Sequence, residues 1–137
     1  MVEISSETIQ KYSEYSTPKL KLKAQKVFNA WIRKRDEGQP CINCGKYRTL
    51  QAGHFFPTST HSYLRFHEHN TNGECLQCNY YNSQSHGYGY AVNLEKKIGK
   101  KDFEALMLLG SQRVQKKDDR LLFIQIIEEY TIKINSK

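Results

Sequence analysis

The sequence predicts an α+β fold in which a metal-bound core of short strands is flanked by helices on its N-terminal and C-terminal sides. Four cysteines form two Cys-x-x-Cys pairs, Cys41 with Cys44 and Cys75 with Cys78, and 30 residues lie between the pairs. Apolar residues recur at helical spacing before and after this segment. Hydrophobic residues make up only 38% of the chain, so we expect a small core that depends on a metal ion for stability.

The length and charge of the chain limit its organisation and its partners. With 137 residues, we expect one domain over residues 1–137. Lys and Arg number 21 against 14 Asp and Glu, which favours a nucleic-acid partner, with a soluble protein that is merely basic as the alternative. No apolar run approaches the roughly 20 residues that a bilayer span needs, and the first residues lack a signal-peptide pattern. We therefore expect no membrane partner and a cytoplasmic location.

The N-terminal part is predicted to be a polar tail followed by a basic helix. Residues 1–16 show no clear period and should form a frayed tail or a short helix. The basic helix is predicted over residues 17–38, with Thr17 as its N-cap and Gly38 at its end. Apolar residues at helical spacing predict a stripe that faces the core. They are Leu20, Ala24, Val27, Phe28, Trp31 and Ile32.

Residues 41–90 are predicted to form the zinc-bound core. In a reducing cytosol, paired Cys-x-x-Cys motifs favour zinc over disulfides. Four thiolates, from Cys41, Cys44, Cys75 and Cys78, fill the tetrahedral shell of zinc and leave no position for a substrate. The predicted zinc is therefore structural.

The segment between the cysteine pairs is predicted to contain two short strands. Residues 47–56 favour a strand that ends near His54, and residues 62–67 favour a second strand. Residues 70–73 have turn chemistry, and a helix is expected to begin near the second cysteine pair.

Residues 91–137 are predicted to be helical. Apolar residues at helical spacing, followed by Gly99, predict one helix. A second helix is expected over residues 102–109, closed by Gly110, and a last helix over residues 118–134. The apolar side of the last helix either closes the monomer core or forms the interface of a homodimer.

Several blocks of the chain resemble a nuclease family. Residues 41–45 read Cys-x-x-Cys-Gly, residues 51–55 Gln-Ala-Gly-His-Phe, residues 64–70 Leu-Arg-Phe-x-Glu-x-Asn, and residues 75–79 Cys-x-x-Cys-Asn. In this order and spacing they resemble the HNH nuclease superfamily, and more closely the NinG/Rap group of lambdoid phage recombination proteins. With flanking blocks, the resemblance spans about residues 18–99.

The resemblance implies a ββα-metal fold, in which a zinc-stapled hairpin is followed by a helix. It also implies a metal-dependent endonuclease that acts on branched double-stranded DNA, such as Holliday junctions, D-loops and flaps. Such a protein belongs to a phage or prophage in a bacterial host. Two alternatives stay open: a zinc-stabilised DNA-binding module without catalysis, and an HNH nicking endonuclease that acts on ordinary duplex.

The resemblance assigns roles in a candidate site to His54, Asn70 and Asn79. His54 matches the histidine that activates water, a task that suits a neutral imidazole. Asn70 matches the middle asparagine, which helps to hold the hairpin and the histidine. Asn79 follows the last cysteine, as does the asparagine that ligates the catalytic ion in the similar recombination endonuclease VII. We expect Mg²⁺ or Mn²⁺, because either ion keeps positions open for phosphate oxygens.

One ligand of this site is missing from the motif. Many HNH nucleases carry Asp or His directly before the histidine, where this chain has Gly53. His86 lies near a further family position and is a candidate for the missing ligand, the alternative being an exposed loop histidine. If there is no catalysis, His54 is a structural histidine and Asn79 a helix cap. Three more histidines are expected to be exposed: His61, His67 and His69.

Three arginines near these blocks are candidates for contacts with DNA phosphates. They are Arg33, Arg35 and Arg65. For Arg35, a structural ion pair with the neighbouring Asp36 is an equal alternative.

Overall fold

The described part of the chain contains helices and a two-stranded sheet, which confirms the predicted α+β class. The computed structural model describes residues 3–81, 86–112, 114 and 116–136, apart from the side chains of residues 81 and 86–88. In chain order the elements are α1 (Ser6–Lys11), α2 (Thr17–Arg35), β1 (Leu50–His54), β2 (Thr71–Cys75), α3 (His86–Ile98), α4 (Lys100–Gln112) and α5 (Arg120–Asn135). Two 3-10 turns, Ser62–Leu64 and Glu68–Asn70, precede β2, and a π-helical turn, Gln77–Tyr81, follows it.

The chain divides into two compact units. Met1–Trp31 and Lys117–Lys137 form one, which we call the helical unit, and Ile32–Lys116 form the other, which we call the sheet unit. All the predicted site residues lie in the sheet unit. The expected single domain over the whole chain stays a prediction.

The helical unit has an apolar core built from α2 and α5. Phe28 of α2 is fully buried, and its ring packs edge-on against Tyr130 of α5 with 4.9 Å between ring centroids. Trp31 packs against the same tyrosine at 5.2 Å. The apolar side of α5 is buried, as Ile126 and Ile127 show. This burial supports the core alternative for α5, and a homodimer stays a prediction.

The ends of the first two helices differ in detail from the predictions. Helix α1 confirms the expected short helix in residues 1–16. Thr17 is not the N-cap of α2, because Thr17 is already helical and the Ser16 hydroxyl accepts the N–H of Lys19 at 3.3 Å. Helix α2 ends at Arg35 rather than at residue 38. Gly38 lies in the following turn with a φ of 83°, a conformation that favours glycine.

The sheet pairs β1 with β2 in antiparallel orientation, with Gln51 opposite Glu74 and Gly53 opposite Asn72. Strand β1 confirms the first predicted strand, which was expected to end near His54. The second prediction was wrong, because residues 62–67 form no strand and residues 70–73, expected as a turn, mostly belong to β2. Strand β2 is polar yet buried along its length. It therefore lacks the apolar alternation from which a strand is recognised.

A small apolar cluster lies beside the sheet. It consists of Ile42, Leu64, Tyr90, Leu94 and Leu106. Helix α3 ends at Ile98, and Gly99 follows with a φ of 90°, as predicted. Gly110 does not close α4, which continues to Gln112. A Cβ on Gly110 would lie 2.2 Å from the Phe56 ring, so this glycine permits close packing.

No helix in the described part of the chain combines the length and the apolar character that a membrane crossing requires.

Candidate metal centre and adjoining polar site

Four thiols from two separate turns meet at one end of the sheet. The Sγ atoms of Cys41, Cys44, Cys75 and Cys78 all lie within 4.8 Å of one another, and those of Cys44 and Cys75 are 3.9 Å apart. Zinc–sulfur bonds of 2.3 Å in a tetrahedron would place the sulfurs about 3.8 Å apart. The four cysteines can therefore hold one metal ion such as zinc.

Backbone amides support this arrangement of thiols. The Sγ of Cys41 accepts the N–H groups of Asn43 at 3.4 Å and of Cys75 at 3.3 Å. Gly45 has a φ of 76°, so the turn after Cys44 uses a backbone conformation that favours glycine. Burial alone raises the pKa of Cys75, but hydrogen bonds from Cys78 and the neighbouring thiols outweigh it and lower the pKa to about 7. The neighbouring groups thus favour the thiolate form of Cys75, which is the form that binds a metal ion.

His54 ends β1 and is held in a defined orientation. Its Nε2 lies 2.9 Å from the carbonyl oxygen of Arg65. A carbonyl only accepts, so Nε2 carries the proton and Nδ1 is the basic nitrogen of the neutral ring. Burial lowers the pKa of His54 below its ordinary value of 6.5, although the Arg65 carbonyl opposes the shift. The positive charge of Arg65 lowers it further, so the ring is neutral at pH 7.

Asn70 fixes the loop that follows His54. Its side chain is fully buried. Its Nδ2 donates to the carbonyl oxygens of Phe56 and Leu64 at 3.1 and 3.2 Å, and its Oδ1 accepts the N–H of Phe56 at 2.8 Å. The Asn70 carbonyl also accepts the N–H of Phe55 at 2.8 Å. These contacts fix the backbone directly after β1, and a part for Asn70 in catalysis stays a prediction.

Two side-chain oxygens approach Gly53, directly before His54. A Cβ placed on Gly53 would lie 2.2 Å from Oε1 of Glu74 and 3.1 Å from Oδ1 of Asn79. The Asn79 amide is oriented by its Nδ2, which donates to Oε1 of Gln51 at 3.0 Å. The space that a side chain at position 53 would occupy is therefore bordered by two oxygen atoms, and by the Cβ of Glu74 at 2.9 Å; we call this space the cradle. Carboxylate and amide oxygens are the ligands that Mg²⁺ and Mn²⁺ prefer, so the cradle fits such an ion.

The backbone of Gly53 is also held by Tyr90. The Tyr90 hydroxyl donates to the Gly53 carbonyl at 2.6 Å and accepts from Nδ2 of Asn72 at 3.1 Å. Tyr90 is itself fully buried in the core. The cradle and His54 therefore lie on a fixed stretch of backbone.

Arg35 belongs to a network of hydrogen bonds behind the sheet. It pairs with Asp36 at 2.8 Å and donates to the carbonyl of Thr71 at 2.9 Å. Lys97 pairs with the same carboxylate at 2.9 Å. Burial alone raises the pKa of Asp36, but hydrogen bonds from Arg35 and Lys97 outweigh it and lower the pKa. The structural ion pair is thus present, and a DNA contact by Arg35 stays a prediction.

Three predicted site residues remain, two arginines and one histidine. Arg33 is exposed and lines an open groove with Tyr47 and Arg48. Arg65 is half-buried and close enough to His54 for its charge to lower the pKa of that ring. The side chain of His86 lies outside the described residues, so its role as a ligand stays a prediction.

The three additional histidines are less exposed than expected. His61 is buried, and its ring nitrogens bond to the Thr60 hydroxyl at 2.7 Å and the Gly110 carbonyl at 3.0 Å. His67 and His69 are half-buried, and Nδ1 of His67 accepts the N–H of His69 at 3.2 Å. The expectation of exposure was wrong because these histidines cap and brace the turns before β2.

The sequence reasoning missed Glu74 as a candidate for the site. One signal was available: only Glu68 and Glu74 are acidic between Cys41 and Asn79, and the family resemblance implied that another residue replaces the ligand missing at position 53. The polar sequence around Glu74 suggested a turn, which hid its position on the strand beside β1.

Fold and site together define an α+β protein with a candidate four-cysteine metal centre. Residues 4–136 match the profile of a family described as "Bacteriophage Lambda NinG protein". The chain belongs to this NinG family.

Named relatives come from several phages. The ninG proteins of Escherichia phage lambda and Salmonella phage P22 are each 41% identical to the chain over 78 residues, and that of Enterobacteria phage H19B is 40% identical. The match covers 56% of this chain and 38% of each relative, so the chain matches well under half the length of these proteins. No solved structure matches it.

Proposed function

We propose that the protein is a metal-dependent, structure-specific DNA endonuclease of the HNH type, acting on branched recombination intermediates such as Holliday junctions, D-loops and flaps. One observation carries the proposal. The neutral, oriented His54 directly follows Gly53, and oxygen atoms of other residues approach the space that a side chain at Gly53 would fill. HNH nucleases place a general base and a metal ligand at these two adjacent positions. The order strand, strand, helix in β1, β2 and α3 fits the same ββα-metal fold.

His54 would remove the proton from the attacking water. The hydrogen bond to the Arg65 carbonyl places the ring proton on Nε2, so Nδ1 can accept a proton. Its lowered pKa keeps the ring neutral at physiological pH. A general base in such a position accelerates hydrolysis by roughly 100- to 10,000-fold.

Asn79 would hold a catalytic Mg²⁺ or Mn²⁺ ion through Oδ1, which faces the cradle at Gly53. When bound, the ion neutralises negative charge on the scissile phosphate and the leaving oxygen. Zinc at the cysteines would have a separate, structural role, because four thiolates leave no open position. The two ions would thus differ in ligands and in task.

DNA as the substrate is supported by charge. The chain carries a net charge of +7, and phosphate contacts by Arg and Lys dominate affinity for DNA. Arg33 and Arg48 line one exposed groove of the sheet unit. The preference for branched DNA, and a place in the cytoplasm of a phage-infected bacterium, follow from the family resemblance.

A panel of DNA substrates tests the proposal. Zinc-loaded protein is incubated with a four-way junction, a flap and a linear duplex of matched sequence, with Mg²⁺, with Mn²⁺ or with EDTA. We expect metal-dependent cleavage of the branched substrates and little cleavage of the duplex. Equal cleavage of the duplex would favour an HNH nicking endonuclease instead. Binding without cleavage under every metal would favour a non-catalytic DNA-binding module.

A further inference from the structure

We infer that Glu74, on β2, supplies the carboxylate ligand for the catalytic ion that position 53 of β1 cannot supply. The inference rests on the proposed function, since it concerns the ion that the proposed nuclease requires. It assigns a role to a residue that no motif marks, and it explains how a glycine can stand before the histidine.

The first argument is the position of the Glu74 carboxylate. A Cβ on Gly53 would lie 2.2 Å from Oε1 of Glu74. In an aspartate, two bonds separate Cβ from each carboxylate oxygen, a distance of about 2.4 Å. The Glu74 oxygen therefore lies as far from the Gly53 Cβ position as an oxygen of an aspartate at that position would. Because residues 53 and 54 are adjacent, this oxygen also lies near the residue that precedes His54, as the ligand of an HNH motif does.

The register of the sheet explains how the carboxylate reaches this point. Glu74 pairs directly with Gln51, so the two side chains share one face of the sheet. Gly53 lies two residues after Gln51 and belongs to the same face. The long side chain of Glu74 can therefore lie over Gly53, but only while position 53 has no Cβ. The two residues therefore depend on each other: Gly53 on β1 leaves the space, and Glu74 on β2 supplies the carboxylate.

The second carboxylate oxygen is held by the first cysteine turn. Nδ2 of Asn43 donates to Oε2 of Glu74 at 3.3 Å. The backbone of that turn is itself fixed, because Nδ2 of Asn93 donates to the carbonyls of Ile42 and Asn43 at 2.8 and 3.2 Å. The metal centre formed by the cysteines would thus orient Glu74 through Asn43.

The burial of Glu74 favours the binding of a cation by its carboxylate. Its side chain has no exposed surface, and burying an ionised carboxylate is costly unless positive charge or hydrogen bonds compensate. Asn79, which offers the second oxygen, is half-buried. A divalent ion bound to both oxygens would offset the cost and would keep further coordination positions for water and phosphate.

Binding of Mn²⁺, measured by electron paramagnetic resonance on zinc-loaded protein without DNA, tests the inference separately from catalysis. Glu74→Gln keeps the shape of the side chain and removes its charge, and Glu68→Gln changes the other acid between the cysteine pairs. Because ligand charge sets affinity, we expect Glu74→Gln to weaken Mn²⁺ binding by about tenfold or more and Glu68→Gln to leave it unchanged. Zinc content and circular dichroism confirm that each variant is folded.

A relocated ligand provides a second test. In Gly53→Asp with Glu74→Gly, the carboxylate returns to β1. Glycine is needed at position 74 because the Glu74 Cβ would itself lie 2.9 Å from a Cβ on residue 53. We expect this double variant to bind Mn²⁺ more tightly than Glu74→Gly alone, and its failure to do so while folded and zinc-loaded would overturn the inference.

The outcomes separate the two claims. If Glu74→Gln binds Mn²⁺ as the parent does and the parent still cleaves junctions, the ligand assignment is wrong and the proposed function stands. If the parent neither binds Mn²⁺ nor cleaves any substrate, both are wrong.

Discussion

The helical unit and the sheet unit are stabilised by different kinds of contact. In the helical unit, apolar and aromatic side chains such as Phe28, Ile127 and Tyr130 fill the core. In the sheet unit, several buried side chains are polar. Those among the described residues are Asp36, His61, Asn70, Thr71, Asn72 and Glu74, and all of them belong to the sheet unit.

This difference implies that the two units owe their stability to different kinds of interaction. Burying a polar group costs free energy unless its hydrogen bonds are made, whereas apolar burial stabilises directly. In the sheet unit the polar groups hold the backbone around His54 and Gly53, through Asn70 and Tyr90. The sheet unit should therefore depend on metal and on hydrogen bonds, and the helical unit on packing.

Removal of the metal should have the largest effect and should affect mainly the sheet unit. Zinc binding contributes an apparent free energy of about 10–16 kcal/mol in small zinc domains. We expect chelation under reducing conditions, or Cys75→Ser, to increase amide hydrogen exchange strongly in Leu50–His54 and Thr71–Cys75. Exchange in Arg120–Asn135 should change much less. Mass spectrometry measures the exchange. An equal loss of protection from exchange in both units would contradict the idea that only the sheet unit depends on the metal.

Truncation of a packed ring should have the next largest effect and should affect mainly the helical unit. Phe28 is fully buried against Tyr130, so Phe28→Ala should lower the free energy of unfolding by about 3–5 kcal/mol. Urea titration followed by Trp31 fluorescence measures the change. Leu22, whose side chain is 74% exposed, provides the control, and Leu22→Ala should change stability by less than about 0.5 kcal/mol. Loss of bound zinc in Phe28→Ala would show that the metal centre depends on this packing.

Loss of a buried ion pair in the sheet unit should lower stability more than loss of an exposed ion pair in the helical unit. The side chain of Asp36 is 3% exposed and pairs with Arg35 and Lys97, whereas that of Asp118 is 46% exposed and pairs with Lys21 at 3.0 Å. Asp36→Asn should cost about 3 kcal/mol because it leaves two cations poorly compensated. Asp118→Asn should cost less than about 1 kcal/mol. Similar losses in thermal denaturation of the two variants would argue against a special role for the buried network.

The last prediction concerns the dependence of the cleavage rate on pH. Burial keeps the pKa of His54 below 6.5, and only the neutral ring can act as a base. Cleavage should therefore vary little with His54 protonation above pH 7 and should fall by about tenfold per pH unit once the pH drops below that pKa. A pH profile of single-turnover rates, with zinc retention checked at each pH, measures this. An acid limb that begins above pH 7 would contradict the assignment of the base.

Much of this arrangement could be predicted from local sequence. The cysteine spacing identified the metal centre, apolar periodicity identified α2 and α5, and Gly99 marked the end of α3. Strand β2 was missed because its polar residues are buried by specific partners rather than by apolar alternation. Glu74 was missed for the same reason, since its proximity to Gly53 depends on the pairing register of two strands.

The most direct test of the proposed nuclease compares junction cleavage by the zinc-loaded parent, by His54→Ala and by the control His69→Ala in Mn²⁺. If His54 is the general base, the single-turnover rate of His54→Ala should fall by roughly 100- to 10,000-fold, while junction affinity and zinc content stay unchanged. His69→Ala should cleave at nearly the parent rate. Cleavage by folded His54→Ala at the parent rate would contradict the mechanism.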